Sequence, residues 1–206
     1  MRIREAEQSH LGEVVELHNA TFPGFFLTFL GPGFLKCLYS AFLTHPRSQL
    51  LISEDEQEKM LGFAAFTNNL SELYRHLLRS SIIPLAWYSF LALLRRPSVV
   101  FRLLRGLSHP QQSERTERYA ELSSIGVAPQ HQKSGVGRAL VEEVIKRVDF
   151  SEAAYLKLET DADQNADVNA FYLRNGFVLH HTYATPEGRK MNEYHYTPMQ
   201  EMNTGK

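Results

Sequence analysis

The chain has 206 residues, 43% of them hydrophobic and 22% charged, with a formal net charge of −1. That length supports one sizeable core, and the near-neutral balance excludes the broad positive field of a nucleic-acid binder. The single cysteine, Cys37, excludes an internal disulfide, and the opening residues show no apolar signal core, so a cytoplasmic protein is expected.

In chain order, "RIREA" reads as a first strand. His10–Ala20 places Leu11, Val14, Val15 and His18 on one helical face, with Ser9 as N-cap. The aromatic, glycine-rich stretch Phe22–Gly33 reads as loop or broken helix, and Phe34–Thr44 as a helix ending before Pro46. "SQLLISE" and "MLGFAAFT" form a hairpin around a charged turn. A helical segment follows, with breaks expected near Pro84, Pro97 and "GLSHPQQS". "RYAELSSIGVAP" is a strong strand, Gly135–Val148 a helix and "AAYLKLETD" a strand. Asn165–Arg174 is a helix stopped by Asn175–Gly176. "FVLHHTYA" and "MNEYHYTP" close the chain as strands joined by "TPEGRK". The order predicts a mixed α/β sheet with helices on its faces, in one domain over 1–206.

The stretch "QHQKSGVGRAL" lies where a strand gives way to a helix. A helix N-terminus presents unpaired amides and partial positive charge, so anions settle there. Gln132, Lys133, Ser134, Gly135, Val136, Gly137 and Arg138 offer successive amides that could cradle a pyrophosphate. The spacing is neither the Walker pattern nor the full dinucleotide fingerprint. A glycine turn that merely lets a helix pack on its strand would look the same.

Thirty residues on stands "NADVNAFYLRNGF". A Q-x-x-G-x-G after a strand, followed by Asn165, Tyr172, Gly176 and Phe177, resembles the GCN5-related N-acetyltransferase (GNAT) superfamily. The resemblance is good over about 118–183. It does not extend to the segment at about 70–117, which is longer than the family core requires and is expected to be a helical insertion before the central strand.

The resemblance implies the acyl-CoA N-acyltransferase fold and acetyl-CoA as cosubstrate. It makes the 132–138 loop the pyrophosphate site and Leu122–Val127 the splayed strand, with Ile125 and Val127 as pantetheine partners. Asn165 would bond the pantetheine arm, although a plain N-cap is the simpler reading. Tyr172 would protonate the departing thiolate; a core aromatic is its bland alternative. Acceptor amines are protonated at neutral pH, so a proton must leave. Glu121, which opens the central strand, is the first candidate base, and Glu159 the second; each could instead be a solvated strand-end carboxylate. Phe22–Phe29, Tyr119, Tyr194 and Tyr196 could line the acceptor pocket. No metal is expected, because no spaced His/Cys set is visible and the adjacent His180 and His181 should point to opposite faces of a strand.

The implied activity is acetyl transfer from the CoA thioester to a primary amine on a small molecule or peptide, an amino sugar or other small amine among the candidates. A non-catalytic acyl-CoA sensor and an O-acyltransferase on the same scaffold are the alternatives. Leu73–Ser113 holds six arginines and no Asp or Glu, which leaves 16 basic against 23 acidic residues elsewhere, a balance of −7. It also contains the 13-residue apolar run Ile82–Leu94, too short for a bilayer span of roughly 20 residues. Three roles compete for it: a cap over the sheet or acceptor site, a homodimer face, and a peripheral contact with an anionic membrane. No nucleic-acid partner is expected.

Overall fold

The computed structural model describes residues 1–23, 26–95, 118–185 and 188–198. Seven strands build one sheet: β1 (Arg2–Glu5), β2 (Ser48–Glu54), β3 (Met60–Thr67), β4 (Tyr119–Val127), β5 (Tyr155–Asp161), β6 (Val178–Ala184) and β7 (Lys190–Tyr196). Their spatial order is β1-β2-β3-β4-β5-β7-β6. Every neighbouring pair is antiparallel except β4 and β5. The helices are α1 (Leu11–Thr21), α2 (Phe26–Phe29), α3 (Pro32–Thr44), α4 (Leu70–Arg95), α5 (Val136–Arg147) and α6 (Ala166–Arg174). The expected mixed α/β architecture is therefore present.

The sheet carries a core on each face, which explains why β3 is buried along its whole length. Ala64 and Phe66 point to the side of α5 and α6. There they meet Val136, Leu140, Val141 and Val144, with Leu156, Leu158, Tyr172 and Phe177. Phe63 and Ala65 point the other way, toward Leu11 and Val14 of α1, Leu35, Tyr39 and Phe42 of α3, and Leu73, Leu77 and Leu85 of α4. A strand buried on both faces reads as a continuous apolar run, as "MLGFAAF" does.

Three boundaries differ from the sequence reading. Ser9 is not an N-cap: Gln8–His10 forms a 3-10 turn ahead of α1, closed by a bond from the Glu7 amide to His10 Nδ1 at 2.9 Å. The second long helix starts at Pro32 rather than Phe34. Proline suits a helix's first position, where no N–H is needed, and Gly31 ahead of it adopts φ +88. The break foreseen at Pro84 falls at Ser81 (φ −138, ψ 23), inside an α4 that otherwise runs on to Arg95. Proline disturbs the turn before it, by ring contact and by the missing hydrogen bond to i−4, so the distortion precedes the residue that causes it. The breaks foreseen at Pro97 and "GLSHPQQS" lie outside the described residues.

Candidate active site

Strands β4 and β5 pair over three residues only, Tyr119 to Glu121 against Tyr155 to Lys157. Beyond that point β4 runs on to Val127 and β5 to Asp161 with no ladder between them, so the centre of the sheet opens as a wedge. On its other side β4 stays paired with β3 through a bulge: Leu122 faces Phe66 and Ser124 faces Ala65, leaving Ser123 as the extra residue. The Ala128 amide donates to the Leu61 carbonyl at 2.9 Å. Antiparallel pairs alternate between bonded and non-bonded. Gly126 and Ser124 therefore bond to β3, while the main-chain groups of Ile125 and Val127 face the opening.

The turn after β4 leads to the bare end of α5. Pro129–His131 makes a 3-10 turn, Lys133 adopts a left-handed φ of 61, and Gly135, the N-cap, has φ +91. No side chain caps α5 and no acid sits in its first turn. The amides of Val136, Gly137 and Arg138 thus keep the anion-binding character of an uncapped terminus. The two glycines have different reasons to be there. Gly135 carries the left-handed turn, with open space where a Cβ would stand. A Cβ on Gly137 would lie 3.4 Å from Phe171 and 3.5 Å from Val127, ordinary contact, so packing does not demand this glycine, whose missing side chain leaves the helix end bare. Lys133 reaches across to Asp167 of α6 (3.2 Å), an exposed pair of little energetic weight.

At the apex of the wedge the last paired residues are Glu121 and Lys157, with Nζ 3.3 Å from Glu121 Oε2. The contact is an ion pair without hydrogen-bond geometry, and Oε2 is buried and accepts no hydrogen bond among the described residues. Burial pushes the Glu121 carboxyl above its ordinary range; Lys157 opposes this and Glu159 adds to it. Lys157 also binds Glu159 Oε1 at 2.9 Å. Burial alone would lower the Lys157 ammonium, but its two carboxylates hold it above the usual lysine value. Tyr183 donates to Glu159 Oε2 at 2.8 Å. Glu193, opposite Glu159 in the ladder, meets His195 Nε2 at 2.5 Å. Tyr74 of α4 joins from above: half-exposed as a residue, it has its hydroxyl pushed up to about 12 by burial and by Glu121. The Glu121 side chain keeps 16% of its surface accessible.

Tyr172 lies on the opposite face, in the α5–α6 core, its ring 5.7 Å from Phe177 and 5.9 Å from Tyr194. Burial, then Tyr194, holds its hydroxyl well above the usual tyrosine range, so it stays protonated at neutral pH. That hydroxyl makes no hydrogen bond among the described residues. Glu121 and Tyr172 are thus not neighbours on one surface; the opening is what lies between their faces. Asn165 occupies the N-cap position of α6, but its side chain does not cap. Its amide nitrogen donates to Thr160 Oγ1 (2.8 Å) and to the Asp161 carbonyl (3.2 Å).

Part of the expected acceptor side lies elsewhere. Tyr194 pairs with Leu158 and points into the α5–α6 core, where its hydroxyl donates to Asn169 Oδ1 at 2.8 Å. Tyr196 packs on the same core. The β7 residues on the Glu121 face are Glu193 and His195, which register with Glu159 and Lys157. Tyr119 does belong there, stacked on Tyr155 with Lys157 Nζ 5.1 Å from its ring centre. Part of Phe22–Phe29 lies outside the described residues. Sequence reasoning does not single out Lys157, Tyr183, Glu193 and His195 as site residues, although alternation along "YLKLE" and "NEYHY" puts Lys157, Glu193 and His195 on one face once the pairing is known, and the register of Tyr183 with Met191 adds the tyrosine. Nor do His180 and His181 point apart as expected. Leu179 registers with Tyr194 and His181 with Glu193, so His180 is bulged, and ligand atoms of His180, His181 and Glu193 come within 4.8 Å of one another.

A central parallel pair that parts after three residues, with an uncapped glycine-led helix beside the gap, is the arrangement that the sequence's resemblance to acyl-CoA N-acyltransferases implies. The sequence profile of the Acetyltransferase (GNAT) family matches residues 11–177, and the chain belongs to that family. No curated protein sequence matches it significantly. Among solved structures it is similar to Chaetomium thermophilum Naa20 in complex with a bisubstrate analogue (14% identity, 96% of this chain and 86% of that one, TM-score 0.59). It is also similar to the ribosomal-protein-S18-alanine N-acetyltransferase of Escherichia coli (19%, 95% and 92%, TM-score 0.56). A third is a spermidine N-acetyltransferase SpeG mutant from Vibrio cholerae (15%, 98% and 98%, TM-score 0.59). At these identities the likeness is one of fold.

Proposed function

We propose that the protein moves the acetyl group of acetyl-CoA to a primary amine on a small molecule, an amino sugar or another small amine, by direct attack with both substrates bound. The observation that carries this reading is the wedge itself, with free main-chain groups and a bare helix end along one side and a carboxylate-rich apex on the other. The family draws acetyl from acetyl-CoA, and the residues present suit that molecule. Gln132 through Arg138 supply amides for its pyrophosphate, and Ile125 and Val127 offer an unpaired strand edge to its amide-bearing arm. Asn165 has its side-chain oxygen left to contribute on the α6 side.

Glu121, Glu159 and Glu193 outnumber Lys157 on the far face, while Asp161 is matched by Arg189, and the surplus of carboxylates attracts an ammonium group. Glu121 takes the ammonium proton; its raised pKa brings it closer to a working pH near neutrality. The freed nitrogen forms the N–C bond as the C–S bond breaks. A β4 amide facing the opening stabilises charge developing on the carbonyl oxygen, Tyr172 gives its proton to the departing sulfur, and the nitrogen's second proton, released as the amide forms, restores the Tyr172 hydroxyl. The test is thiol release from acetyl-CoA across amino sugars, polyamines, antibiotics and peptides, with product mass as confirmation. Amine-dependent release with a gain of one acetyl on nitrogen is expected. Tight acetyl-CoA binding without release would instead indicate a sensor, and acetylation confined to hydroxyl acceptors an O-acyltransferase.

A further inference from the structure

Helix α4 is apolar on two sides, and only one is covered. Leu73, Leu77 and Leu85 are buried against the α1–α3 side of the molecule, and the Tyr88 ring stands where a Cβ on Gly33 of α3 would be. The opposite side exposes Leu78, Ile82, Ile83, Trp87 and Phe90; Ile83 is 81% exposed and Trp87 57%. With Ala86, the last four line one shallow apolar depression of about 540 Å³. A soluble helix keeps its outer side polar, and one that is apolar all round has a second partner. A cap over the sheet accounts for the covered side alone. No helix among the described residues is long and apolar enough to cross a membrane.

Charge decides among partners. Exposed Arg75 and Arg79 precede the stripe, Arg95, Arg96, Arg102 and Arg105 follow it in sequence, and no acid occurs in Leu73–Ser113. A second copy seated on this stripe would set arginine against arginine. A nucleic acid would use the arginines and leave the apolar stripe in water. A bilayer with anionic headgroups satisfies both, since phosphates meet arginines while Ile, Phe and Trp enter the headgroup–acyl boundary. We infer that the exposed side of α4 is a peripheral docking surface for an anionic phospholipid membrane.

Trp87 is the only tryptophan, so its emission reports directly on this surface. The full chain, with neither acetyl-CoA nor amine present, is mixed with vesicles of equal phosphatidylglycerol and phosphatidylcholine, or of phosphatidylcholine alone. The expected result is a blue shift and co-sedimentation with the anionic vesicles, weakened by salt and far smaller on the neutral ones. Arg75→Gln with Arg79→Gln should lower partitioning about 25-fold, roughly fivefold per arginine. Ile83→Asn should lower it about tenfold. Thermal melting confirms that each variant is folded, and the vesicle arms with the unsubstituted chain are decisive without any variant. An unshifted Trp87 with no sedimentation overturns the proposal. So does a blue shift that follows protein concentration without vesicles, which marks a second copy, or binding to an oligonucleotide in place of vesicles.

Discussion

On the α5 side of the wedge the groups offered to a ligand are main-chain amides, fixed by one left-handed glycine and the register of β4 on β3. On the other face they are side chains, Glu121, Lys157, Glu159, Tyr183, Glu193 and His195, drawn from four strands. Backbone recognition tolerates side-chain change provided the path of the chain is kept, so it suits a cosubstrate shared by a whole family. Side-chain recognition can be rewritten residue by residue, which suits an acceptor that differs from one enzyme to the next. Substitutions on the two sides should therefore fail in different ways.

The largest effect is expected at the chemical step between them. Tyr172→Phe should lower kcat about a hundredfold while acetyl-CoA affinity and melting temperature hold, because the lost hydroxyl bonds to nothing among the described residues; undiminished turnover would remove Tyr172 from the mechanism. On the acceptor face, Lys157→Met leaves Glu121 and Glu159 facing each other without their shared cation. We expect a loss of about 3 kcal/mol in denaturant unfolding and an acid limb of kcat/KM moved to higher pH. On the cosubstrate side, Gly135→Ala meets no steric clash but strains the φ of +91, so the turn that aims the amides shifts and acetyl-CoA should bind about tenfold more weakly by calorimetry, with the KM for amine unchanged.

Glu121→Gln should reduce kcat/KM by about tenfold and flatten its acid limb, since a base must be ionised to act and the pKa of Glu121, the proposed base, is raised. A raised carboxyl pKa means the folded chain holds that proton more tightly than the unfolded one. Ionised Glu121 thus weakens the fold as pH rises, and the glutamine variant should melt no lower than the parent at alkaline pH. The smallest effect belongs to Tyr39→Phe. Tyr39 shares a 2.7 Å hydrogen bond with His18 Nδ1 and one of 3.1 Å with Ser124 Oγ, beside the β4 bulge. Its loss should lower stability by about 1 to 2 kcal/mol and turnover severalfold, through the path of β4. His18, held down to about 4 by burial, is neutral in the fold. Its contribution is complete above its unfolded pKa near 6.5 and is lost as pH falls from there toward 4.

The glycine turn and the uncapped start of α5 are legible in the sequence because their determinants are local. "QKSGVG" after a strand dictates a left-handed turn and an uncapped helix in a dozen residues, and "NADVNAFYLRNGF" places α6 beside it. On the opposite face the sequence singles out Glu121, Glu159 and Tyr119 but not the residues they meet. Lys157 and His195 meet through registers set across β4, β5 and β7, and the bulge at His180 breaks the strict alternation that would have sent His180 and His181 to opposite faces. Tyr194 falls on the other face by plain alternation between Glu193 and His195, but which of the two faces holds the site is settled only by the pairing of β7 with β5. In α4 the alternatives differed in what covers the apolar stripe, a question of exposure that a pattern of letters does not answer.

Capture of acetyl-CoA by main chain in the wedge between β4 and β5 is the central claim, and amide hydrogen exchange with and without acetyl-CoA tests it most directly. Protection is expected at Ile125, Val127 and 135–138, with Phe63 and Ala65, already committed within the sheet, unchanged. Saturating acetyl-CoA that leaves those amides exchanging as before, or protects a different part of the molecule, would contradict main-chain capture in the wedge.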